Sequence, residues 1–542
     1  MGLLAGILSK DQSDISEFLY KMAFKLRHRG NSSLCLLAKD AMGWQSIICK
    51  SLKEILETKA SFGIVGSHLI LDTKNETIPY VDCQENDYLL LDGRIFNNQQ
   101  IQNEMKEKHR GNLNNSGIII HFVEELLKKN YKIPEILKKL FNLIEGMYAG
   151  TLILKDQVFL FRDLIGIKPL YLNFGPKYIA FASEKKALWI AGFKQNIKPL
   201  IPGYVVRITE RGFPTIYNRV FNNRGIDKQP LQYYCNILLK LLNDNLLKLE
   251  PKNPFYLLLS GGIDSSLLAA ALKSKDIKFN SLVIGSERSK DIPAAQDVAN
   301  FLDLPLEIKK FDVTELEKII PLLIYSLEST DEKKINIAFP LFFASNYLQD
   351  KGYKVIFTGQ GADEIFGGYE RHEIKFKEDP NSFQGSLWED IKNLPRVNLQ
   401  RDDAVSMANT VELRLPYLNR RFVEFCMQIP PSFKIKPPIR KFILRQVGKK
   451  IGLSDKIIQI PKRAIQFSSG SYEILKKLAK KYGFTKNFAL NNGFFSPTQL
   501  FIDSLSYFIG FPNIEPKVIK FMEKSSIKWP ESFFKYKNIV NS

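Results

Sequence analysis

The sequence predicts two fold classes in succession: an α+β half in residues 1–220 and an α/β half, built around a parallel sheet, in residues 221–475. The chain has 542 residues, more than one hydrophobic core normally serves. In the first half, short apolar strands alternate with amphipathic helices such as Ser116–Lys129. In the second half, strand and helix patterns alternate after a helix at Gln232–Leu249, which is typical of right-handed βαβ units.

An apolar run, Leu257–Leu259, ends in Ser260-Gly261-Gly262 and then opens a helix near Asp264. A run this apolar suits a strand that is buried on both faces, and two adjacent glycines let backbone N–H groups close around an anion. The helix N-terminus adds unsatisfied N–H groups and positive potential, and Ser265 and Ser266 add hydroxyl donors. An ordinary strand-to-helix turn is the alternative interpretation. The pattern lacks the lysine of a GxxxxGK[ST] loop, so it favours cleavage that leaves pyrophosphate.

A second apolar run, Val355–Phe357, ends in the glycine-spaced loop Thr358–Gly361 and the acidic pair Asp363-Glu364. Because the carboxyl ends of parallel strands meet at one edge of a sheet, we expect Asp264 and Asp363 to lie close together. Hard oxygen ligands at such an edge suit Mg²⁺ that bridges phosphates. The two loops therefore predict a nucleotide site with a metal held by these two carboxylates.

These two loops, with Ser289–Asp297 between them, resemble the synthetase domain of the asparagine synthetase family, which also contains the β-lactam synthetases. Further motifs of that family are resembled, in the same order, by Arg401–Ala408, Val411–Leu418, Lys441–Arg445 and Pro461–Phe467. The resemblance runs from about residue 250 to 470 and, more weakly, over the first 220 residues. It implies an adenine-nucleotide α-hydrolase-like (PP-loop) parallel-sheet domain.

What the resemblance implies is an ATP-dependent ligase that adenylates a carboxylate, releases pyrophosphate and lets ammonia or another amine displace AMP. The implied contacts of ATP and its pyrophosphate are Ser260, Gly261, Gly262, Asp264, Ser265, Ser266, Val283, Ile284, Thr358 and Gly359. Asp264 and Asp363 would hold Mg²⁺ and act with Lys462, which matches the lysine that faces the reacting α-phosphate. A solvated lysine in a basic loop is the alternative for Lys462. The implied neighbours of the carboxylate substrate are Gln360, Glu364 and Arg414.

One departure lies in the second loop. Gln360 stands where the asparagine synthetases have a glutamate between two glycines, and a neutral amide cannot act as a base. The β-lactam branch also lacks that glutamate, so adenylation is not excluded. The departure leaves the identity of the substrates open.

The N-terminal half is similar to the class II glutamine amidotransferase domain, which implies an N-terminal-nucleophile (Ntn) αββα sandwich. The motifs that carry this similarity are Leu26–Gly30, Leu91–Asn97, Glu145–Ala149 and Phe161–Tyr171. Such chemistry needs a cysteine at the processed N-terminus, whose α-amine serves as the base. This chain has Gly2 there, and its first cysteine, Cys35, lies in an apolar run typical of a buried, inert thiol.

The expected glutamine pocket is altered as well. Asp92 and Arg94 replace the family's asparagine and glutamate, and Arg94 reverses the charge that would face the substrate ammonium. No arginine for the glutamine carboxylate occurs near Ser67-His68. We therefore expect a degenerate domain, with nitrogen supplied by free ammonia, a separate ammonia-donor protein or an amine on the substrate.

Composition excludes other classes. A net charge of +20 permits non-specific attraction to nucleic acid, but no RNA-binding motif accompanies it, so small anionic substrates and ATP are favoured. Five scattered cysteines without a CxxC pair indicate a reducing cytoplasm. Five histidines, none grouped at ligand spacing in the sequence, predict no zinc site. The absence of an 18-residue apolar run predicts no membrane span.

The sequence thus predicts a degenerate amidotransferase-like domain (1–220), an asparagine synthetase-like domain (221–475) and a helical extension of unassigned role (476–542). The leading function is an AMP-forming ligase that joins aspartate and ammonia. A β-lactam synthetase-like or peptide-modifying ligase with another carboxylate is the second, and a non-catalytic nucleotide-binding scaffold is the third. Retention of Asp264, Asp363 and Lys462 together speaks against the scaffold. A homodimer is compatible with the sequence.

Overall fold

The computed structural model describes two compact units. The first comprises Met1–Asn222 and Pro395–Asp403, and the second comprises Asn223–Leu394 and Ala404–Ser542. The residues described are 2–30, 32–40, 43–69, 71, 78–107, 109 and 116–540.

The first unit is built from strands and shorter helices. In chain order they are β1 (Gly2–Ser9), α1 (Ser16–Leu26), β2 (Leu34–Asp40), β3 (Gly43–Cys49), α2 (Glu54–Glu57), β4 (Phe62–His68), β5 (Tyr80–Val81), β6 (Tyr88–Ile95), α3 (Asn98–Glu104), α4 (Gly117–Lys128), α5 (Ile133–Leu143), β7 (Gly146–Leu154), β8 (Gln157–Arg162), β9 (Tyr171–Phe174), β10 (Tyr178–Ala182), α6 (Lys185–Ile190), β11 (Lys198–Pro199), β12 (Tyr204–Arg207) and β13 (Thr215–Asn218).

These strands form two antiparallel sheets with the orders β11-β9-β10-β1-β4-β2-β3 and β13-β12-β8-β7-β6-β5. Successive side chains of a strand point to opposite faces. In β1, Leu3 and Ala5 therefore join the core beneath α1 and α6, whereas Leu4 joins the core that faces β6. Helices α4 and α5 pack on the second sheet. The αββα sandwich predicted from the sequence is confirmed.

The second unit begins with a long helix and continues as an α/β fold. Its elements are α7 (Leu231–Leu249), β14 (Tyr256–Leu258), α8 (Ile263–Ser274), β15 (Asn280–Gly285), α9 (Asp291–Leu302), β16 (Leu306–Lys310), α10 (Val313–Leu327), α11 (Glu332–Asp350), β17 (Val355–Phe357), α12 (Ala362–Phe366), α13 (Glu370–Glu378), α14 (Pro380–Leu394), α15 (Gln400–Met407, which begins in the first unit), β18 (Glu412–Arg414), α16 (Arg420–Cys426), α17 (Pro431–Lys434), β19 (Ile435–Lys436), β20 (Ile439–Arg440), α18 (Phe442–Lys450), α19 (Asp455–Ile458), α20 (Ile465–Ser468), α21 (Ser471–Lys481), α22 (Lys486–Asn491), α23 (Pro497–Phe508), α24 (Pro516–Lys524) and α25 (Glu531–Phe534).

The central sheet of this unit is parallel and has the order β16-β15-β14-β17-β18. Strands β14 and β17 are neighbours, with Tyr256 opposite Ile356 and Leu257 opposite Phe357. All four side chains are buried, as expected for a parallel strand covered on both faces. The carboxyl ends of β14 and β17 therefore lie side by side, and the predicted parallel-sheet domain is confirmed.

The segment Pro395–Asp403 leaves the second unit and returns to the first. It consists of a π-helical turn, Pro395–Leu399, and the start of α15. Its Asp403 accepts hydrogen bonds from Arg29 (Nη2 to Oδ2, 2.9 Å) and Lys168 (Nζ to Oδ1, 2.5 Å), and all three side chains are buried. The segment thus contributes a carboxylate to the interior of the first unit.

Arg29 has two further partners in this interior. It pairs with Asp92 (Nη2 to Oδ2, 2.9 Å) and with Glu184 (Nη1 to Oε1, 2.8 Å). A buried guanidinium is tolerated because each side of its planar fork meets a carboxylate.

Among the described residues, none of the helices has both the length and the apolar character needed to cross a lipid bilayer.

Candidate active site

The loop between β14 and α8 has the shape of an anion cradle. Gly261 has a φ of +75°, and a Cβ on it would lie 2.4 Å from the carbonyl carbon of Ala294, so only glycine fits there. The backbone N–H of Ser260 donates to Oγ of Ser265 at 3.1 Å, which fixes the loop against the first turn of the helix. Within the described part of the chain, the buried hydroxyl of Ser266 has no hydrogen-bond partner. This loop can therefore offer N–H and O–H donors to phosphate oxygens.

The loop after β17 approaches the first loop closely. A Cβ on Gly359 would lie 3.0 Å from Cβ of Asp264. Gly361 has a φ of +95° and opens the short helix α12, which carries Asp363 and Glu364. The backbone N–H groups of Thr358 and Gln360 donate to Arg414 O (3.2 Å) and Thr358 Oγ1 (3.5 Å) respectively. Glycine at these positions lets the two strand ends meet.

Four charged side chains converge at this edge of the sheet. The Nζ of Lys441 lies 2.5 Å from Oδ2 of Asp264 and 2.6 Å from Oδ1 of Asp363. The Nζ of Lys462 lies 2.6 Å from Oδ2 of Asp363. We call these four residues the lysine–carboxylate cluster. Lys441 is 1% exposed and Lys462 is 28% exposed, so the first is buried between the loops and the second is partly accessible to solvent.

Ion pairing within the cluster keeps Asp363 and Lys462 ionised. Burial opposes ionisation of Asp363, but Lys441 and Lys462 hold its pKa well below the usual value. Burial likewise opposes protonation of Lys462, but Asp363 and Asp264 raise its pKa above the usual value. Asp363 is therefore a carboxylate and Lys462 an ammonium at neutral pH.

Glu364 behaves differently from its neighbour. Burial and the adjacent charge of Asp363 raise the pKa of Glu364 to about 7, although its Oε1 accepts a hydrogen bond from Tyr369 Oη at 2.5 Å. The side chain is 3% exposed. Gln360, on the preceding loop, is half-buried.

The cluster can also hold a divalent cation. Oδ1 of Asp264 is buried and, among the described residues, has no hydrogen-bond partner. A carboxylate oxygen left without a donor suits a hard metal ion, and Asp264 and Asp363 already share one cationic group, Nζ of Lys441.

The structure brings Asp264, Asp363 and Lys462 together, as expected from the sequence. Val283 and Ile284 lie on β15, the strand beside β14, and both are buried. Their roles in ATP binding stay a prediction.

The guanidinium of Arg414 is buried at the end of β18. It donates to Oε1 of Glu412 at 2.7 Å and to the carbonyl oxygen of Leu249. These contacts anchor the edge strand, and the predicted place of Arg414 near the carboxylate substrate stays a prediction.

No functional role was predicted for Lys441 from the sequence. It belongs to one of the motifs that carried the resemblance, Lys441–Arg445, but nothing in its pattern marked a cluster residue. The structure gives it a φ of +53° immediately before α18, which turns its side chain toward Asp264 and Asp363. A lysine before a helix is ordinarily a surface residue, so its burial could not be predicted from the sequence.

The N-terminal half has no room for a nucleophile at its second residue. A Cβ on Gly2 would lie 1.6 Å from the carbonyl oxygen of Ser67 on β4. The backbone N–H of Gly2 donates to Oδ1 of Asp92 at 3.0 Å, and Asp92 is also held by Arg29. Burial raises the pKa of the Cys35 thiol to about 12, which agrees with the inert thiol expected from its apolar run.

Comparisons with known proteins find matches to both halves of the chain. A family model described as asparagine synthase matches residues 247–383 and 375–500, and one described as a glutamine amidotransferase domain matches residues 67–189. A Methanocaldococcus jannaschii protein named among the glutamine-hydrolysing asparagine synthetases is 30% identical, over 89% of this chain and 96% of that protein. Asparagine synthetase 1 of Saccharomyces cerevisiae is 29% identical, over 72% of this chain and 74% of that protein.

Among solved structures, a glutamine phosphoribosylpyrophosphate amidotransferase from B. subtilis is 18% identical, with a TM-score of 0.34, over 57% of this chain and 65% of that chain. Fold, site and matching families together define an ATP-dependent carbon–nitrogen ligase of the PP-loop type, preceded by an amidotransferase-type domain. The chain belongs to the asparagine synthetase family.

Proposed function

We propose that this protein joins aspartate and free ammonia at the expense of ATP. The lysine–carboxylate cluster at the carboxyl ends of β14 and β17 is the observation that carries the proposal. It places two ammonium groups and two carboxylates beside a loop rich in anion donors. A ligase that releases pyrophosphate needs both features, because charge accumulates on the α-phosphate and on the leaving group.

The proposed reaction has two steps. In the first, an oxygen of the substrate carboxylate attacks the α-phosphorus of ATP, the bond to the β-phosphate bridging oxygen breaks, and pyrophosphate leaves. In the second, the nitrogen of ammonia attacks the acyl carbon, AMP leaves, and the nitrogen loses a proton. Lys462, the more exposed lysine, stabilises negative charge on the α-phosphate. Lys441 holds the carboxylates of Asp264 and Asp363 close to each other.

Magnesium is part of this proposal. Asp264 and Asp363 would hold the ion, and the orphaned Oδ1 of Asp264 supports that assignment. When bound, Mg²⁺ would neutralise phosphate charge during the departure of pyrophosphate. The serine hydroxyls and N–H groups of the Ser260–Gly262 loop would orient the leaving group.

The steric environment of Gly2 supports dependence on free ammonia. The carbonyl oxygen of Ser67 occupies the space of a side chain at this position, so a thiol cannot be accommodated without moving β4. Cys35, the first cysteine of the chain, is buried and kept neutral. The described part of this half therefore offers no thiolate at its N-terminus for attack on glutamine.

Another carboxylate in place of aspartate is the second candidate. Gln360 supports it, because this half-buried residue is neutral on the loop next to the cluster. The proton that the nitrogen loses after its attack then has no assigned base in either candidate reaction. The order of steps and the release of pyrophosphate and AMP stay the same, and the amide product is that of the other carboxylate.

The experiment is pyrophosphate release from Mg²⁺-ATP by the full-length protein, with AMP and asparagine measured in the same samples. Aspartate is paired with ammonium chloride in one arm and with glutamine in the other. We expect asparagine and AMP in equal amounts with ammonium and neither with glutamine. Lys462→Ala tests the site, and Lys456→Ala is the matched control, since its lysine is 74% exposed and pairs with Asp297. Turnover with glutamine as the sole nitrogen source would refute the ammonia dependence, and ATP binding without turnover in either arm would favour another carboxylate.

A further inference from the structure

A second cluster of potential ligands lies in the first unit, whereas the lysine–carboxylate cluster belongs to the second. It consists of Cys83, His109, His121 and Glu124, whose ligand atoms all lie within 4.8 Å of one another. Cys83 follows β5, and His121 and Glu124 lie one turn apart on the same face of α4. The sequence had predicted no zinc site because no histidines are grouped at ligand spacing. The fold nevertheless brings together potential ligands from three separate parts of the sequence.

Four of the six separations between ligand atoms are close to the edges of a tetrahedron around a zinc ion. The Sγ of Cys83 lies 3.6 Å from Nδ1 of His109 and 3.7 Å from Nδ1 of His121. The Oε2 of Glu124 lies 3.2 Å from Nδ1 of each histidine. Around a tetrahedral zinc ion, with bonds of about 2.3 Å to sulfur and about 2.0–2.1 Å to nitrogen or oxygen, ligand atoms are separated by roughly 3.3–3.6 Å. Each histidine Nδ1 thus lies near the expected spacing from both the sulfur and the carboxylate oxygen, and the two remaining separations are within 4.8 Å.

An outer carboxylate orients one of the histidines. Oε1 of Glu125 lies 3.1 Å from Nε2 of His109 and accepts backbone hydrogen bonds from Lys106 and Glu107, both at 2.9 Å. A carboxylate on Nε2 favours the tautomer that leaves a lone pair on Nδ1, the atom that faces Cys83 and Glu124. Metal-bound histidines typically have such an outer partner.

Hydrogen bonding alone is a less economical account of the same contacts. Without an ion, His109 would have to donate from Nδ1 to Glu124 and from Nε2 to Glu125, and His121 would donate to the same oxygen of Glu124. One carboxylate oxygen would then accept from two rings and from the backbone N–H of Cys83 at 3.2 Å. A divalent cation satisfies both Nδ1 atoms, the sulfur and the oxygen at once.

We propose that Cys83, His109, His121 and Glu124 bind one Zn²⁺ ion as a structural site. A thiolate and a carboxylate supply two negative charges, which match the charge of the ion, and two neutral imidazoles complete the ligand set. Four protein ligands leave no open position, which distinguishes a structural site from a catalytic one. The ion would fasten the turn after β5 and the segment at His109 to α4, which packs on the second sheet. This site is independent of the ligase chemistry.

The test is metal analysis of the full-length, tag-free protein after gel filtration. We expect about one zinc per chain in the wild-type protein and its loss in Cys83→Ser. Cys235→Ser is the control, because Cys235 is a free cysteine that lies outside the cluster. Cobalt substitution adds a spectroscopic readout: a thiolate-to-cobalt charge-transfer band should appear in the wild-type protein and in Cys235→Ser, but not in Cys83→Ser.

Stability of the wild-type protein provides a second readout if Cys83→Ser does not fold. Removing metal with a chelator should lower the midpoint of thermal unfolding, and adding back zinc chloride should restore it, whereas magnesium chloride should not. The proposal is overturned if the wild-type protein carries no zinc and takes none up from zinc chloride. It is also overturned if Cys83→Ser keeps the wild-type zinc content.

Discussion

The Nζ of Lys441 lies 2.5 Å from Oδ2 of Asp264, although the two residues are 177 positions apart in the chain. Asp264 opens α8 after the central strand β14, whereas Lys441 precedes α18. The same Nζ reaches Asp363 after the neighbouring strand β17. One buried ammonium thus joins two strand ends and pairs with both carboxylates.

Replacing Lys441 with methionine should affect both folding and activity. The substitution keeps the length of the side chain but removes the ammonium that pairs directly with Asp264 and leaves Asp363 paired with Lys462. Because removal of one partner of a buried pair leaves an uncompensated charge, we expect a loss of about 3 kcal/mol in the free energy of unfolding. Urea unfolding followed by circular dichroism measures it. An unchanged unfolding midpoint would show that the ion pair contributes little.

Replacing Lys462 with alanine should affect activity alone. This lysine is 28% exposed and contacts only one of the two carboxylates, so we expect stability to change by less than about 1 kcal/mol. Turnover should fall by roughly 10²–10³-fold with ATP binding largely kept, because the lost charge acts on the transition state. Steady-state kinetics and equilibrium ATP binding separate these effects. A variant with wild-type turnover would remove Lys462 from the mechanism.

Gly2→Cys should not create a glutaminase. The new Cβ would lie 1.6 Å from Ser67 O, a backbone atom in the middle of the sheet, so we expect destabilisation by about 1–3 kcal/mol. Gly385→Ala is the control, since nothing lies within 4 Å of its added Cβ and alanine favours its helix. Unfolding midpoints and glutamate release from glutamine are the measurements. Glutamate production by Gly2→Cys would show that β4 yields to a side chain.

Lys434 should make stability depend on pH. The side chain is fully buried on α17, and burial lowers its pKa to about 7. Between about pH 7 and the ordinary lysine pKa near 10.4, the unfolded chain binds a proton that the folded chain does not, so stability rises with pH. Lys434→Met should remove this rise and add about 2 kcal/mol of stability at pH 7.

Unfolding midpoints at pH 7, 8 and 9 test this prediction for the wild-type protein and Lys434→Met. Lys436→Met is a suitable control, because Lys436 is exposed two residues further on. Parallel pH profiles for the wild-type protein and Lys434→Met would contradict the prediction.

The sequence was sufficient to predict the convergence of Asp264 and Asp363, because each follows an apolar strand and parallel strands end at one edge. It could not predict Lys441, whose left-handed backbone conformation before α18 follows no hydrophobic period. The cluster of Cys83 and His121 was missed for a related reason. Its ligands come from a turn, an irregular segment and a helix face, so no short spacing rule identifies them.

The sequence predicts a domain boundary near residue 220, but no pattern in it indicates that Pro395–Asp403 belongs with the first unit. This segment lies among motifs of the synthetase half, and the contacts of Asp403 with Arg29 and Lys168 reveal its place. A buried ion pair across such a sequence distance leaves no local pattern. The exact boundary between the predicted domains therefore needs three-dimensional information.

A chain whose first unit includes a segment from within the second half of the sequence is difficult to shorten. A gene deletion that removed residues 1–222 would leave Asp403 without either of its cationic partners, and expression of that fragment alone would leave Arg29 and Lys168 short of a carboxylate. In the fragment of residues 1–222, the buried Lys168 would lose its ion pair with Asp403, and a buried charge that loses its partner destabilises a fold. The integrity of the first unit thus depends on a segment that lies about 170 residues further along the chain than its other members.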